Sequence, residues 1–168
     1  MIKRIVMCLL VCLAAGAVLA DDGKQSPGSP LLAYMAGKAY DEAAARELVA
    51  DEYGMRKYVL AFLKRGPNRP ADAAAAAELQ RAHLKNIDRM ARAGKLALAG
   101  PFLDDGELRG IYVFCVGSLA EAEALTRSDP AIQAGSLAME LREWYGSAAL
   151  LAVNAVHARL EKKSVAGE

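Results

Sequence analysis

The chain has 168 residues, 54% hydrophobic and 24% charged. That composition is enough for a single buried core and excludes global disorder. The net charge of +1 excludes the basic footprint of a nucleic-acid binder.

Residues 1–20 read as an export signal. Lys3 and Arg4 form a positive start, Ile5 to Leu13 is apolar, and Val18-Leu19-Ala20 ends in small residues before Asp21-Asp22. Cleavage is expected after Ala20, placing the mature chain in the periplasm or outside the cell. The alternative is an uncleaved anchor, for which Ile5 to Ala20 is short against the ~20 residues of a membrane-spanning helix. No stable span is expected after cleavage. Cys8 and Cys12 leave with the signal, so Cys115 alone remains and no intrachain disulfide can form. Cys115 sits in an apolar run and reads as a small buried hydrophobe.

Residues 21–55 read as a flexible leader with a weak helical pattern over 38–52. The compact domain is expected over 56–146. Tyr58 to Leu63 is a strand that is apolar on both faces, and Gly66-Pro67 breaks it. A long helix follows over about 71–93, with Leu79, Ala82, His83, Ile87 and Met90 on one stripe. Gly94 caps it. Leu96 to Ala99 is a short strand, and Asp104-Asp105-Gly106 turns the chain into a third strand over 110–116. Ser118 to Glu121 is a capping box that opens a second helix. Ser136 to Trp144 alternates as a half-exposed fourth strand. A last amphipathic helix is expected over about 147–161, within a C-terminal helix and tail covering 147–168.

The order β-α-β-β-α-β predicts an α+β, ferredoxin-like sandwich with both helices on one sheet face. Strands one and three are apolar on both sides, so the second face needs a cover. A homodimer packed sheet to sheet supplies one. The competing covers are the C-terminal helix and the 38–52 segment.

His83-Leu84, Gly94-Lys95-Leu96, the Ala99-Gly100-Pro101 turn, and Asp129-Pro130 followed by Gly135 resemble the YCII-related family. The resemblance covers roughly Tyr58 to Tyr145. It implies the dimeric α+β barrel fold, with the C-terminal helix as an addition. It also implies a small enzyme in which a helix histidine and the Asp of an Asp-Pro pair face one pocket. Some relatives remove chloride from small ring compounds, and the fold is shared with muconolactone isomerases. His83 and Asp129 are the positions that carry over, as candidate catalytic residues.

The residues themselves leave alternatives open. A histidine held by a carboxylate can shuttle a proton at neutral pH, but a buried histidine also packs quietly against a backbone carbonyl. Asp129 before Pro130 is equally a turn residue. Gly100 and Pro101 turn the chain or shape a pocket wall. Trp144 and Tyr145 stack on an aromatic ligand, or belong to the core or an interface. His157 has no second histidine or Cys at ligand spacing, so neither a metal nor another cofactor is expected. The leading expectation is cofactor-free elimination or isomerisation of a small molecule by His83 and Asp129. The other is a non-catalytic module that binds a small molecule or a protein, with a structural dimer.

Overall fold

The computed structural model describes residues 39–167. The expected export signal and most of the leader lie outside them. Within the described leader, a short helix α1 (Glu42–Glu47) precedes the domain, N-capped by Asp41. The core elements are β1 (Met55–Arg65), α2 (Ala73–Arg92), β2 (Leu96–Pro101), β3 (Leu108–Phe114), α3 (Leu119–Thr126), α4 (Pro130–Gln133) and β4 (Leu137–Ser147). The sheet order is β2-β3-β1-β4 and every neighbouring pair is antiparallel. This is the split βαβ arrangement expected from the element order.

Local chemistry sets the element ends. Asp72 caps α2 by accepting from the Ala75 amide at 2.8 Å. At the other end Gly94 takes φ +67°, a left-handed conformation that glycine adopts without a Cβ penalty. The Lys95 amide then closes on the Met90 carbonyl at 2.9 Å, satisfying one of the last free carbonyls. Ser118 caps α3, while Glu121 reaches back to the Gly117 amide at 3.0 Å. The strand end at Gly66 is bonded to the chain around Gly135. The Gly66 amide donates to Ser136 O, and a Cβ on Gly66 would lie 2.2 Å from the Gly135 carbonyl.

The helices cover one face. Val59, Ala61 and Leu63 of β1 pack with Leu96, Tyr112, Phe114, Met90 and Ala122 in the main core. Leu137, Met139 and Leu141 of β4 join from the same side, which accounts for the alternation along that strand.

The opposite face is only half covered. Tyr58, Ala97 and Val113 form a second cluster closed by Leu150 and Leu151. Those two leucines belong to the C-terminal segment, which is shorter and more broken than the single helix expected. A 3₁₀ turn (Ala148–Ala152) leads into a short helix α5 (Val153–His157). The difference has a packing cause. β4 runs on to Ser147, and the chain must turn at once to set Leu150 and Leu151 on the sheet. The Asn154 side-chain Nδ2 then donates to Leu96 O at 2.7 Å, anchoring the segment across the sheet edge. Among the described residues no helix is long and apolar enough to cross a membrane.

Candidate active site

His83, Asn86 and Met90 are the buried residues of α2. Their spacing of three and four residues puts them on the stripe facing the sheet. Asp129 comes from the turn between α3 and α4. Its carboxylate is fixed by capping α4, with Oδ1 accepting from the Ala131 amide at 2.9 Å and Pro130 filling the first helical position. Turn residue and site residue are therefore one. Both carboxylate oxygens lie 2.9 Å from His83 Nδ1. Asp129 is 0% exposed and His83 7%.

Tyr112 supplies a third polar group from the middle of β3. Its neighbours across the ladder are Ala61 and Ala99, both small. Its ring meets Phe114 edge-on at 5.7 Å. The hydroxyl lies 3.3 Å from His83 Nε2 and 3.5 Å from Asp129 Oδ2. Burial, then the negative charge of Asp129, pushes the Tyr112 hydroxyl far above its ordinary range. It is a hydrogen-bond donor at any physiological pH. The carboxylate can only accept, so Nδ1 carries the proton and donates to it, and Nε2 carries the lone pair toward Tyr112. Such an imidazole is oriented to accept a proton at Nε2 while Asp129 stabilises the cation that forms.

A second polar set adjoins the first. Arg89 Nη2 donates to Asn86 Oδ1 at 2.7 Å and to Ser128 Oγ at 2.9 Å. Ser128 Oγ in turn donates to Leu125 O at 2.6 Å. Ser128 and Asp129, consecutive in the turn, thus each bind α2. Among the described residues no buried side-chain nitrogen or oxygen lacks a partner.

The remaining candidate residues are dispersed. Gly100 and Pro101 lie on β2 opposite Ile111 and Gly110. Trp144 and Tyr145 lie on β4 opposite Tyr58 and Lys57. These are the two edge strands, three strand spacings or roughly 14 Å apart. Consecutive residues of a strand also point to opposite faces. The Tyr145 hydroxyl donates to Asp51, while Trp144 meets the Tyr58 ring at 5.8 Å. The four do not gather into one site with His83.

Trp144 instead borders a groove of about 560 Å³ on the uncovered sheet face. Leu60, Phe62 and Leu108 form its apolar lining, and Lys64, Glu140 and Arg142 add charge. Glu140 accepts from Lys64 at 2.5 Å and from Arg142 Nε at 2.8 Å. These two cations hold its carboxyl down at about 2.

Tyr112, Asn86, Arg89 and Ser128 are absent from the residues singled out by sequence. Two of the four carried a signal. A tyrosine within an apolar strand needs a partner for its hydroxyl, and Asn86 falls on the apolar stripe one turn after His83.

Residues 59–145, just over half of the chain, match the YCII-related domain. The chain belongs to the YCII-related family. It is similar to the uncharacterized protein YjpA of Bacillus subtilis (strain 168), 34% identical over 62 residues, or 37% of this chain and 71% of that protein. It is also similar to a solved structure, 5-chloro-2-hydroxyhydroquinone dehydrochlorinase (TftG) from Burkholderia phenoliruptrix AC1100 in complex with 2,5-dihydroxybenzoquinone. That match has 19% identity and a TM-score of 0.40, covering 51% of this chain and 92% of the other.

Proposed function

We propose that this YCII-related protein is a small enzyme that moves a proton on a small molecule without a cofactor, in an elimination or an isomerisation. His83 is the base through Nε2. Asp129 orients the ring and stabilises its charged form. The observation that carries this reading is the contact of both Asp129 oxygens with the Nδ1 of a buried His83 at 2.9 Å. A positioned acid-base group of this kind is worth roughly 10²–10⁴ in rate.

Deuterium exchange tests it. Small cyclic carbonyl compounds and phenols are incubated with the protein in D2O, and carbon-bound protons are followed by NMR. The expected result is protein-dependent exchange that falls by about 10²-fold or more in His83→Gln. Exchange at the parent rate in that variant would contradict the mechanism.

A second reading rests on one observation. The Tyr112 hydroxyl stands against Nε2, the nitrogen that must meet substrate. A pair closed by tyrosine is also what a purely structural network looks like, and the protein would then be a binding module. Ligand capture that survives His83→Gln, with no exchange in D2O, selects this alternative.

The mature chain is proposed to begin at Asp21 after export to the periplasm or beyond. The mass of the intact protein from a periplasmic extract checks the cut. We further propose a homodimer joined across the uncovered sheet face. Its support is the half-exposed Leu108 and Trp144, each at 39%, beside a groove that the C-terminal segment leaves open. A concentration-independent monomer in sedimentation would contradict the dimer.

A further inference from the structure

Three arginines lie on α2. Arg81 pairs with Glu78, and Arg92 with Asp88 at 3.0 Å, each carboxylate one turn earlier on the helix. Arg89 differs, because the turn before it offers Lys85 and Asn86 instead of an acid. Its hydrogen bonds run to Asn86 Oδ1 and Ser128 Oγ, both neutral acceptors. A guanidinium cannot lose its proton, so it keeps a full positive charge there. Both bonds come from Nη2, which leaves the Nε proton and the Nη1 protons for another acceptor.

Placement gives that charge meaning. Asn86, buried one turn after His83, holds the guanidinium from one side. Ser128, the residue before Asp129, holds it from the other. Both supports of the exposed guanidinium thus come from the two segments that carry the acid-base pair, Asn86 three residues after His83 and Ser128 directly before Asp129. Fixing a long side chain with neutral partners sets its position without spending its charge, which is what an anion site requires.

We propose that Arg89 is the anion anchor of this site, binding the carboxylate or phenolate of a small organic acid. The inference rests on the acid-base reading of His83 and names its substrate class as acidic. Loss of Arg89 should weaken anion binding by about tenfold to a hundredfold, the range for one charge-assisted hydrogen-bonding partner.

The test uses benzoate and its neutral counterpart benzamide as probes, with the purified protein and backbone amide NMR. Benzoate is expected to shift Asn86, Ser128 and Asp129, and benzamide is not. Arg89→Gln should lose the benzoate shifts, Arg89→Lys should keep them in weakened form, and thermal melts should show both variants folded. His83→Gln should still bind benzoate, so failure of the anchor and failure of the base are read separately. The anchor is overturned if benzamide binds as well as benzoate, if Arg89→Gln binds benzoate unchanged, or if benzoate shifts none of these amides at its highest soluble concentration.

Discussion

The two faces of the sheet handle polar groups in opposite ways. On the helix side, His83, Asp129 and Tyr112 are buried and hydrogen-bonded to one another. On the open side, the Lys64–Glu140–Arg142 set is partly exposed and borders an apolar groove. Buried polar groups without partners are costly, so the first arrangement survives only as a complete network. Exposed ion pairs contribute little to stability. The helix side is therefore where a single atom should matter, and the open face is where shape and exposed apolar area should matter.

The largest effect is expected at Asp129. Asp129→Ala leaves His83 without its partner and removes the cap of α4. Leaving a buried donor without its acceptor costs about 1–3 kcal/mol and losing a helix cap about 1 kcal/mol, so urea unfolding should show a loss of about 2–4 kcal/mol. A loss below about 1 kcal/mol, the usual range for exposed pairs, would erase the contrast between the faces. Tyr112→Phe comes next. Its hydroxyl makes two long contacts, so about 1 kcal/mol is expected by the same measurement.

Phe62→Lys probes the open face. Phe62 is half-buried on the open face, so the change should cost the monomer about 1 kcal/mol, the typical size for a point substitution, while shifting the sedimentation of the parent protein toward monomer. A loss of several kcal/mol without change in assembly would make the groove a folding core instead of an interface. The smallest effect concerns pH. Glu140 titrates at about 2 in the folded chain against an ordinary 4.5. Its folded value is depressed, so its contribution is fully present above pH 4.5 and is lost as pH falls through about 2. Lys64 is the largest single contributor to this shift, followed by Arg142. In Lys64→Met the Glu140 carboxyl should titrate back toward 4.5 by NMR, and an unmoved titration would exclude the pairing.

Much of this architecture was legible in the chain. Apolar periodicity, Gly94, the Ser118–Glu121 cap and the Asp104-Asp105-Gly106 turn mark elements that the structure contains within a few residues. The alternation of Leu137, Met139 and Leu141 against Glu140 and Arg142 separates the two faces of β4. What escaped were features made by tertiary contact. The four-residue helix α4 is too short to show periodicity, though Asp129-Pro130 and Gly135 bracket it. The C-terminal segment has helical spacing, but the sheet face it covers dictates a tighter turn. The need of the Tyr112 hydroxyl for a partner is readable, but which partner it meets is not until β3 is set beneath α2. Trp144 and Tyr145 are adjacent in sequence and point to opposite faces once paired with β1.

The central claim is that Asp129 holds His83 through Nδ1 and leaves Nε2 as the base. Nitrogen-15 NMR of the imidazole reads this directly. The account predicts a ring whose neutral form carries its proton on Nδ1, with a hydrogen-bonded Nδ1 proton that disappears in Asp129→Ala. A neutral ring protonated on Nε2, unchanged by that substitution, would contradict it.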